Sequence, residues 1–106
     1  MVIVQGVFRL DPAERERYLA ESVENMRVSR AEPGCLEYVV AADPAEPDRV
    51  ILSERWASID DLNEHTRALN RRRKEAADAG AAPGVTLTAR DIWMYELDPA
   101  AEQKMV

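Results

Sequence analysis

One histidine and one cysteine occur in this 106-residue chain, so the side-chain chemistry open to it is narrow. His65 can take or give a proton near neutral pH. It shares a helical face with Leu62 and Leu69, a side that turns inward toward the core or a pocket rim. Two roles stay open for it: the proton-transfer group of a site, or a polar side chain satisfied inside the fold. Cys35, in AEPGCLEY, has no histidine near it in sequence. A reactive thiol needs a lowered pKa and usually a base partner, so Cys35 reads as structural. No HxH or HExxH spacing and no cluster of acids accompanies His65, and no metal site is expected.

The other candidates are aromatic and cationic. Tyr38, Trp56, Trp93 and Tyr95 all fall in strand-like segments. Aromatic rings with polar tips suit an apolar cavity that grips a flat ligand and offers it a hydrogen bond, and they suit plain core filling equally well. Arg55 and Arg90 carry charge that can steer an anionic or phenolate-like ligand, although an exposed surface is the commoner place for either. The run RRRK at residues 71–74 is offset by neighbouring acids and reads as a solvated helix face.

These residues must be positioned by a definite order of elements. VIVQGVFRL (2–10) is β-branched and aromatic and predicts a strand. Asp11 and Pro12 are a helix N-cap and first-turn proline, and Leu19, Val23 and Met26 recur at helical spacing after them. Glu32-Pro33-Gly34 ends that helix. LEYVVAA (36–42) and RVILSERW (49–56) predict two strands around the proline-broken gap DPAEPD. Ser58 with Asp61 resembles a capping box opening a second helix, whose charged tail runs through residues 70–80. AGAAPG (79–84) reads as the loosest loop, VTLTARDIWMYEL (85–97) as the last strand, and residues 99–106 as a C-terminal extension to a domain spanning 1–98.

The order βαββαβ predicts an α+β, ferredoxin-like fold, a four-stranded antiparallel sheet with both helices on one face. The strands are apolar on both sides in places, so the face away from the helices calls for a second subunit or a ligand; a homodimer with a sheet-lined cavity is expected. The composition is globular, 46% apolar and 32% charged, and the net charge of -6 opposes binding to nucleic-acid phosphates. The N-terminus shows no signal-peptide pattern and no apolar run is long enough to span a membrane, which points to a cytoplasmic protein.

SRAEPGCLEYVV followed by ILSERWASIDDLNEHTRA resembles the antibiotic biosynthesis monooxygenase family. EPGCLxY, then ExW, then a leucine three residues before histidine carry the likeness, which extends over nearly the whole chain. The resemblance implies a homodimer of ferredoxin-like protomers, a dimeric α/β barrel. It implies oxidation of a quinol, phenol or polycyclic aromatic by dioxygen without metal, flavin or other cofactor, the electron-rich substrate reacting as its own electron source. His65 would then be the catalytic base or hydrogen-bond partner, with Trp56, Tyr38, Trp93, Leu62 and Arg90 as substrate-binding residues. A binding protein of the same fold for a small aromatic molecule is the alternative, with haem binding or degradation behind it. A related haem-degrading group differs at the residues that matter. It has an asparagine on the first strand where Gln5-Gly6-Val7 stands here, a ligating histidine near Glu75 and Ala76, and a tryptophan at the place of His65.

Overall fold

A computed structural model describes residues 1–106. Its elements are β1 (Val2–Arg9), α1 (Arg15–Arg30), β2 (Cys35–Ala42), β3 (Arg49–Trp56), α2 (Ile59–Asp78) and β4 (Ala89–Glu96). The strands form one antiparallel sheet in the order β2-β3-β1-β4, which is the ferredoxin-like α+β arrangement expected from the element order.

Local chemistry explains most boundaries. Asp11 caps a short 3-10 turn at Pro12–Glu14, its carboxylate accepting from the Ala13 N–H at 2.9 Å, and α1 follows. Ser58 caps α2: its hydroxyl accepts from the Asp61 N–H and donates to the Asp61 carboxylate. The last strand is shorter than expected, beginning at Ala89 rather than at Val85. Ala89 pairs with Arg9, the final residue of β1, so residues 85–88 have strand-forming side chains but no neighbouring strand to join. They are held otherwise, with Leu87 packed on the core and the Thr88 N–H bonded to the Arg9 carbonyl at 2.8 Å. The basic run of α2 also falls short of the helix end, which carries no cation in its last turn.

The registers sort side chains into rows across the sheet. On the helix side, Tyr38, Glu54, Val4 and Met94 form one row, and Val40, Leu52, Gly6 and Ile92 the next. Val50, Phe8 and Arg90 lie one row further. The core is built on this face from Val2, Val4, Phe8, Leu10, Tyr38, Val40, Val50, Leu52 and Trp56. Helix α1 packs on β2 and α2 on β3. Strand β4 is left outside this cover, and every one of its residues is exposed. On the opposite face, Tyr95, Ile3, Arg55 and Glu37 share a row, and Trp93, Gln5, Ser53 and Val39 share the next.

Candidate functional site

The turn between α1 and β2 does much of the positioning. Gly34 has φ of 78°, a left-handed conformation that favours glycine, and a side chain there would run into that of Asp61. Its carbonyl accepts from the Ala57 N–H at 2.8 Å, just before the α2 cap. The glycine therefore lets the turn lie directly against the start of α2. That contact brings Glu32, two residues earlier, against His65, two turns into the helix.

His65 is buried, with 4% of its surface exposed. Its Nδ1 is 2.6 Å from Glu32 Oε1, and its Nε2 is 3.9 Å from Glu54 Oε1. The second distance is within ion-pair range but beyond hydrogen bonding. The Trp56 indole N–H donates to the same Glu54 oxygen at 2.9 Å. The imidazole lies between two rings, 4.7 Å from Trp56 and 5.3 Å from Tyr38, both tilted. Arg72 Nη1 stands 4.0 Å from the other oxygen of Glu32. Burial pushes the Glu54 carboxyl above its ordinary range, against the pull of the indole N–H and of His65. With Nδ1 engaged by Glu32, the Nε2 edge faces a carboxyl that burial inclines to hold its proton. The two carboxylates sit at opposite edges of the ring, one in hydrogen-bond contact and the other at ion-pair range.

Tyr38 closes the other side of the array. Its hydroxyl oxygen accepts from Asn25 Nδ2 at 3.0 Å, and the Asn25 carbonyl in turn accepts from Arg72 Nη2 at 3.1 Å. Burial raises the Tyr38 phenol to about 12, so it stays protonated and can donate. Leu62 packs against the core cluster on the same side.

The residues expected to line one site are thus divided. His65, Tyr38, Trp56 and Leu62 come together. Trp93 does not join them: it pairs with Gln5, whose side chain points to the opposite face from Val4 and Glu54. Arg90 is on the helix side but at its far end, its guanidinium 5.9 Å from the Phe8 ring centre. Arg55 is on the outer face, beside Glu37 at 3.6 Å and Glu102 at 3.7 Å. Cys35 is half-buried, and burial together with the charges of Glu54 and Glu32 raises its thiol, as befits a structural cysteine. A shallow depression of about 260 Å³ lies beside it, lined by Arg30, Cys35, Leu36, Glu37, Tyr38 and Val39. Glu32 and Glu54 were not among the expected site residues. They stand in the motifs EPGC and ExW respectively, and a carboxylate in each of two motifs preceding a lone histidine is the available signal.

No helix is long and apolar enough to cross a membrane. The profile of the family described as antibiotic biosynthesis monooxygenase matches residues 1–77. Over 56 residues the chain is 29% identical to the proposed monooxygenase YcnE of Bacillus subtilis, covering 53% of this chain and 59% of that protein. Over 64 residues it is 30% identical to an uncharacterized protein of Synechocystis, covering 60% and 44% respectively. The chain thus spans about half the length of the curated relatives it matches. Among solved structures, a proposed antibiotic biosynthesis monooxygenase of Deinococcus radiodurans superposes with a TM-score of 0.70 at 22% identity, covering 98% of this chain and 99% of that one. Rv0793 of Mycobacterium tuberculosis superposes at 0.67 with 26% identity, covering 94% and 98%. The heme-degrader MhuD of the same organism superposes at 0.63 with 15% identity, covering 92% and 95%, which is a likeness of fold. With its profile match running from the first strand through nearly all of α2, the chain belongs to the antibiotic biosynthesis monooxygenase family.

Proposed function

We infer that the protein is a monooxygenase that oxidises a phenol, quinol or polycyclic aromatic with dioxygen, without a cofactor, as a homodimer. The buried Glu32–His65–Glu54 array carries this reading. A phenol with a free para position loses its O–H and one C–H hydrogen, gains a carbonyl oxygen, and releases the second oxygen atom as water. The oxidation balances with dioxygen alone. What the protein must supply is a place where the phenol ionises away from water, because the phenolate gives up an electron far more readily than the phenol. Glu32 holds Nδ1 and so keeps the imidazole in one orientation, leaving Nε2 as the proton-accepting edge. Glu54 stands 3.9 Å from that edge, within ion-pair range and beyond direct hydrogen bonding. Tyr38 supports the developing charge by donating its hydroxyl hydrogen, and Trp56 and Leu62 shape the apolar wall. The exposed Trp93 and Tyr95, together with Ile3 on the outer face, support association with a second copy, whose sheet would cover them.

One observation favours a second reading. An imidazole with 4% exposure is sealed by its neighbours, and the same contacts serve simply to tie α2 to the α1–β2 turn. On that reading the protein binds a small aromatic molecule without turning it over. Oxygen uptake by the metal-free protein with a panel of quinols and hydroxylated polycyclic aromatics separates the two. Uptake above autoxidation, lost in His65→Ala while the variant stays folded, is the expected result. Saturable binding with no uptake, or uptake unchanged in His65→Ala, overturns the assignment. A heme titration with no Soret shift is expected as well, since the likeness to MhuD is one of fold.

A further inference from the structure

Along α2, Leu62, His65, Leu69 and Arg72 recur at helical spacing, so Arg72 lies two turns beyond His65 on the same face. Its half-buried guanidinium reaches two groups of the α1 side. Nη2 donates to the Asn25 side-chain carbonyl at 3.1 Å, and Nη1 stands 4.0 Å from Glu32 Oε2. Glu32 gives its other oxygen to His65 Nδ1, and Asn25 gives an amide hydrogen to the Tyr38 hydroxyl oxygen at 3.0 Å. The His65 and Tyr38 rings are neighbours, their centres 5.3 Å apart. One cation therefore stands behind both polar groups of the site.

The direction of these bonds follows from which groups can donate. A guanidinium donates and never accepts. Whatever faces Arg72 must accept, so the Asn25 carbonyl oxygen turns toward it and the amide nitrogen is left for Tyr38. That nitrogen can only donate, so the Tyr38 oxygen accepts, and the hydroxyl hydrogen is not spent on Asn25. The buried Ser29 agrees with this arrangement, its hydroxyl donating to the same Asn25 oxygen at the long distance of 3.5 Å. The Tyr38 hydroxyl makes no other hydrogen bond in the chain. Without Arg72 the amide could turn over and take the Tyr38 hydrogen on its carbonyl.

We propose that Arg72, acting through Asn25, is a positioning residue that keeps the Tyr38 hydroxyl hydrogen for the ligand. This rests on the oxidation reading above, in which Tyr38 donates to the charge that develops on the substrate oxygen. It adds the residue that makes Tyr38 a donor there. A phenolate oxygen and a quinone carbonyl oxygen, both acceptors only, suit that hydrogen.

Asn25→Asp separates the direction of the bond from the shape of the site. The carboxylate accepts from Arg72 as the amide oxygen did, and it accepts the Tyr38 hydrogen as well, so the array stays paired while the hydrogen is spent. Its melting temperature should hold. Its kcat for oxygen uptake with 1-naphthol, a phenol with a free para position, should fall about tenfold or more, as in Tyr38→Phe, with little change in KM. Arg72→Met should lower kcat in the same way, and Arg72→Lys, which also donates and cannot accept, should restore most of it.

Carbon-13 NMR of the full chain labelled at the tyrosine Cζ reads the bond without turnover. The three tyrosines give three signals, and the one absent from Tyr38→Phe belongs to Tyr38. It should move downfield, as for a phenol turned donor, in Asn25→Asp and in Arg72→Met, and stay in place in Arg72→Lys. An unmoved signal in Asn25→Asp or in Arg72→Met overturns the proposal, whether or not oxygen is consumed. A full kcat in Asn25→Asp alongside a moved signal also overturns it, because the hydrogen would then have no part in the reaction. The expected movements without oxygen uptake by the unmodified protein uphold the positioning and count against the oxidation alone.

Discussion

Two aromatic-bearing strands read alike as sequence and end in opposite circumstances. Strand β3 closes on Trp56, which is fully buried, hydrogen-bonded to Glu54 and stacked near His65. Strand β4 carries Trp93 and Tyr95, half exposed, on the far side of the sheet, with Ile92 and Met94 uncovered on the near side. Alternation decides which side chains share a face. What covers that face is decided elsewhere, here by helices that lie over β2 and β3 and leave β4 bare. The two tryptophans are therefore the sharpest pair with which to test the difference. Trp56→Ala should cost about 3–5 kcal/mol in urea unfolding, through lost burial, a cavity and an unpaired Glu54. Trp93→Ala should change the unfolding of the isolated chain by about 0.5 kcal/mol or less. Its effect should fall on association, as a shift toward monomer in sedimentation velocity. Equal losses for the two would mean that β4 is covered within the single chain.

The next largest effect belongs to the turn that joins the buried region together. Gly34→Ala puts a β-carbon into a left-handed residue and against Asp61, the side chain that shares the α2 cap with Ser58. A loss of about 2 kcal/mol or more is expected from the backbone strain and the displaced cap. Gly80 also has a left-handed φ, of 80°, but nothing lies near the place of its β-carbon. Gly80→Ala should therefore cost only the conformational part, about 1 kcal/mol. Thermal melts of the two variants compare a glycine demanded by packing with one demanded by conformation alone. A Gly34→Ala melt no lower than that of Gly80→Ala would remove the close approach from the account.

Much of the scaffold was legible because its signals are local. Ser58 and Asp61 predict a cap that is present, and Glu32-Pro33-Gly34 the end of α1; Asp11-Pro12, read as the helix cap, instead caps a 3-10 turn, and α1 begins only at Arg15. The pairing of His65 with Glu32 was not legible, because it joins residues 33 apart through a turn geometry that only the assembled fold reveals. Glu54 was missed for a related reason. A glutamate alternating with apolar residues on a strand ordinarily faces solvent, and this one sits in the inward phase, beneath α2. As sequence, Trp93 and Trp56 are alike, both indoles on strands. The register that separates them depends on pairing with β1, which strand-by-strand alternation does not supply.

A smaller effect, read as a pH dependence, tests whether Glu54 belongs to the buried region as an acid. Its folded carboxyl is raised by burial above the unfolded value, so the folded state holds the proton more firmly. That contribution to stability is fully present below the unfolded pKa and is lost as pH rises through the folded one. Glu54→Gln keeps the shape and cannot ionise. Relative to the unmodified protein, its melting temperature should move in favour of the variant as pH is raised from about 4 toward 8. The exposed Glu64 supplies the contrast, since hydrogen bonds from Arg67 and Arg71 lower its carboxyl. Glu64→Gln should show a weak dependence of the opposite sign, shrinking with salt. A Glu54→Gln difference that is flat with pH would mean that the carboxyl is solvated in solution.

The smallest effect is expected at Cys35, and it is informative for that reason. The residue opens β2 opposite Trp56, just before a bulge that leaves Leu36 unpaired and half exposed. It touches the edge of the buried region without entering its hydrogen bonds. Burial and the two nearby carboxylates raise the thiol, so little thiolate forms at neutral pH. Cys35→Ala should change stability by about 1 kcal/mol or less and leave any His65-dependent oxygen uptake as it was. Reaction of the native thiol with an aromatic disulfide at pH 8 should run slower than that of a free cysteine and recover in urea. Fast labelling of the folded protein would show that the α1–β2 turn opens readily. Glu32 would then be a poor anchor for His65, since the same turn holds both Glu32 and Cys35.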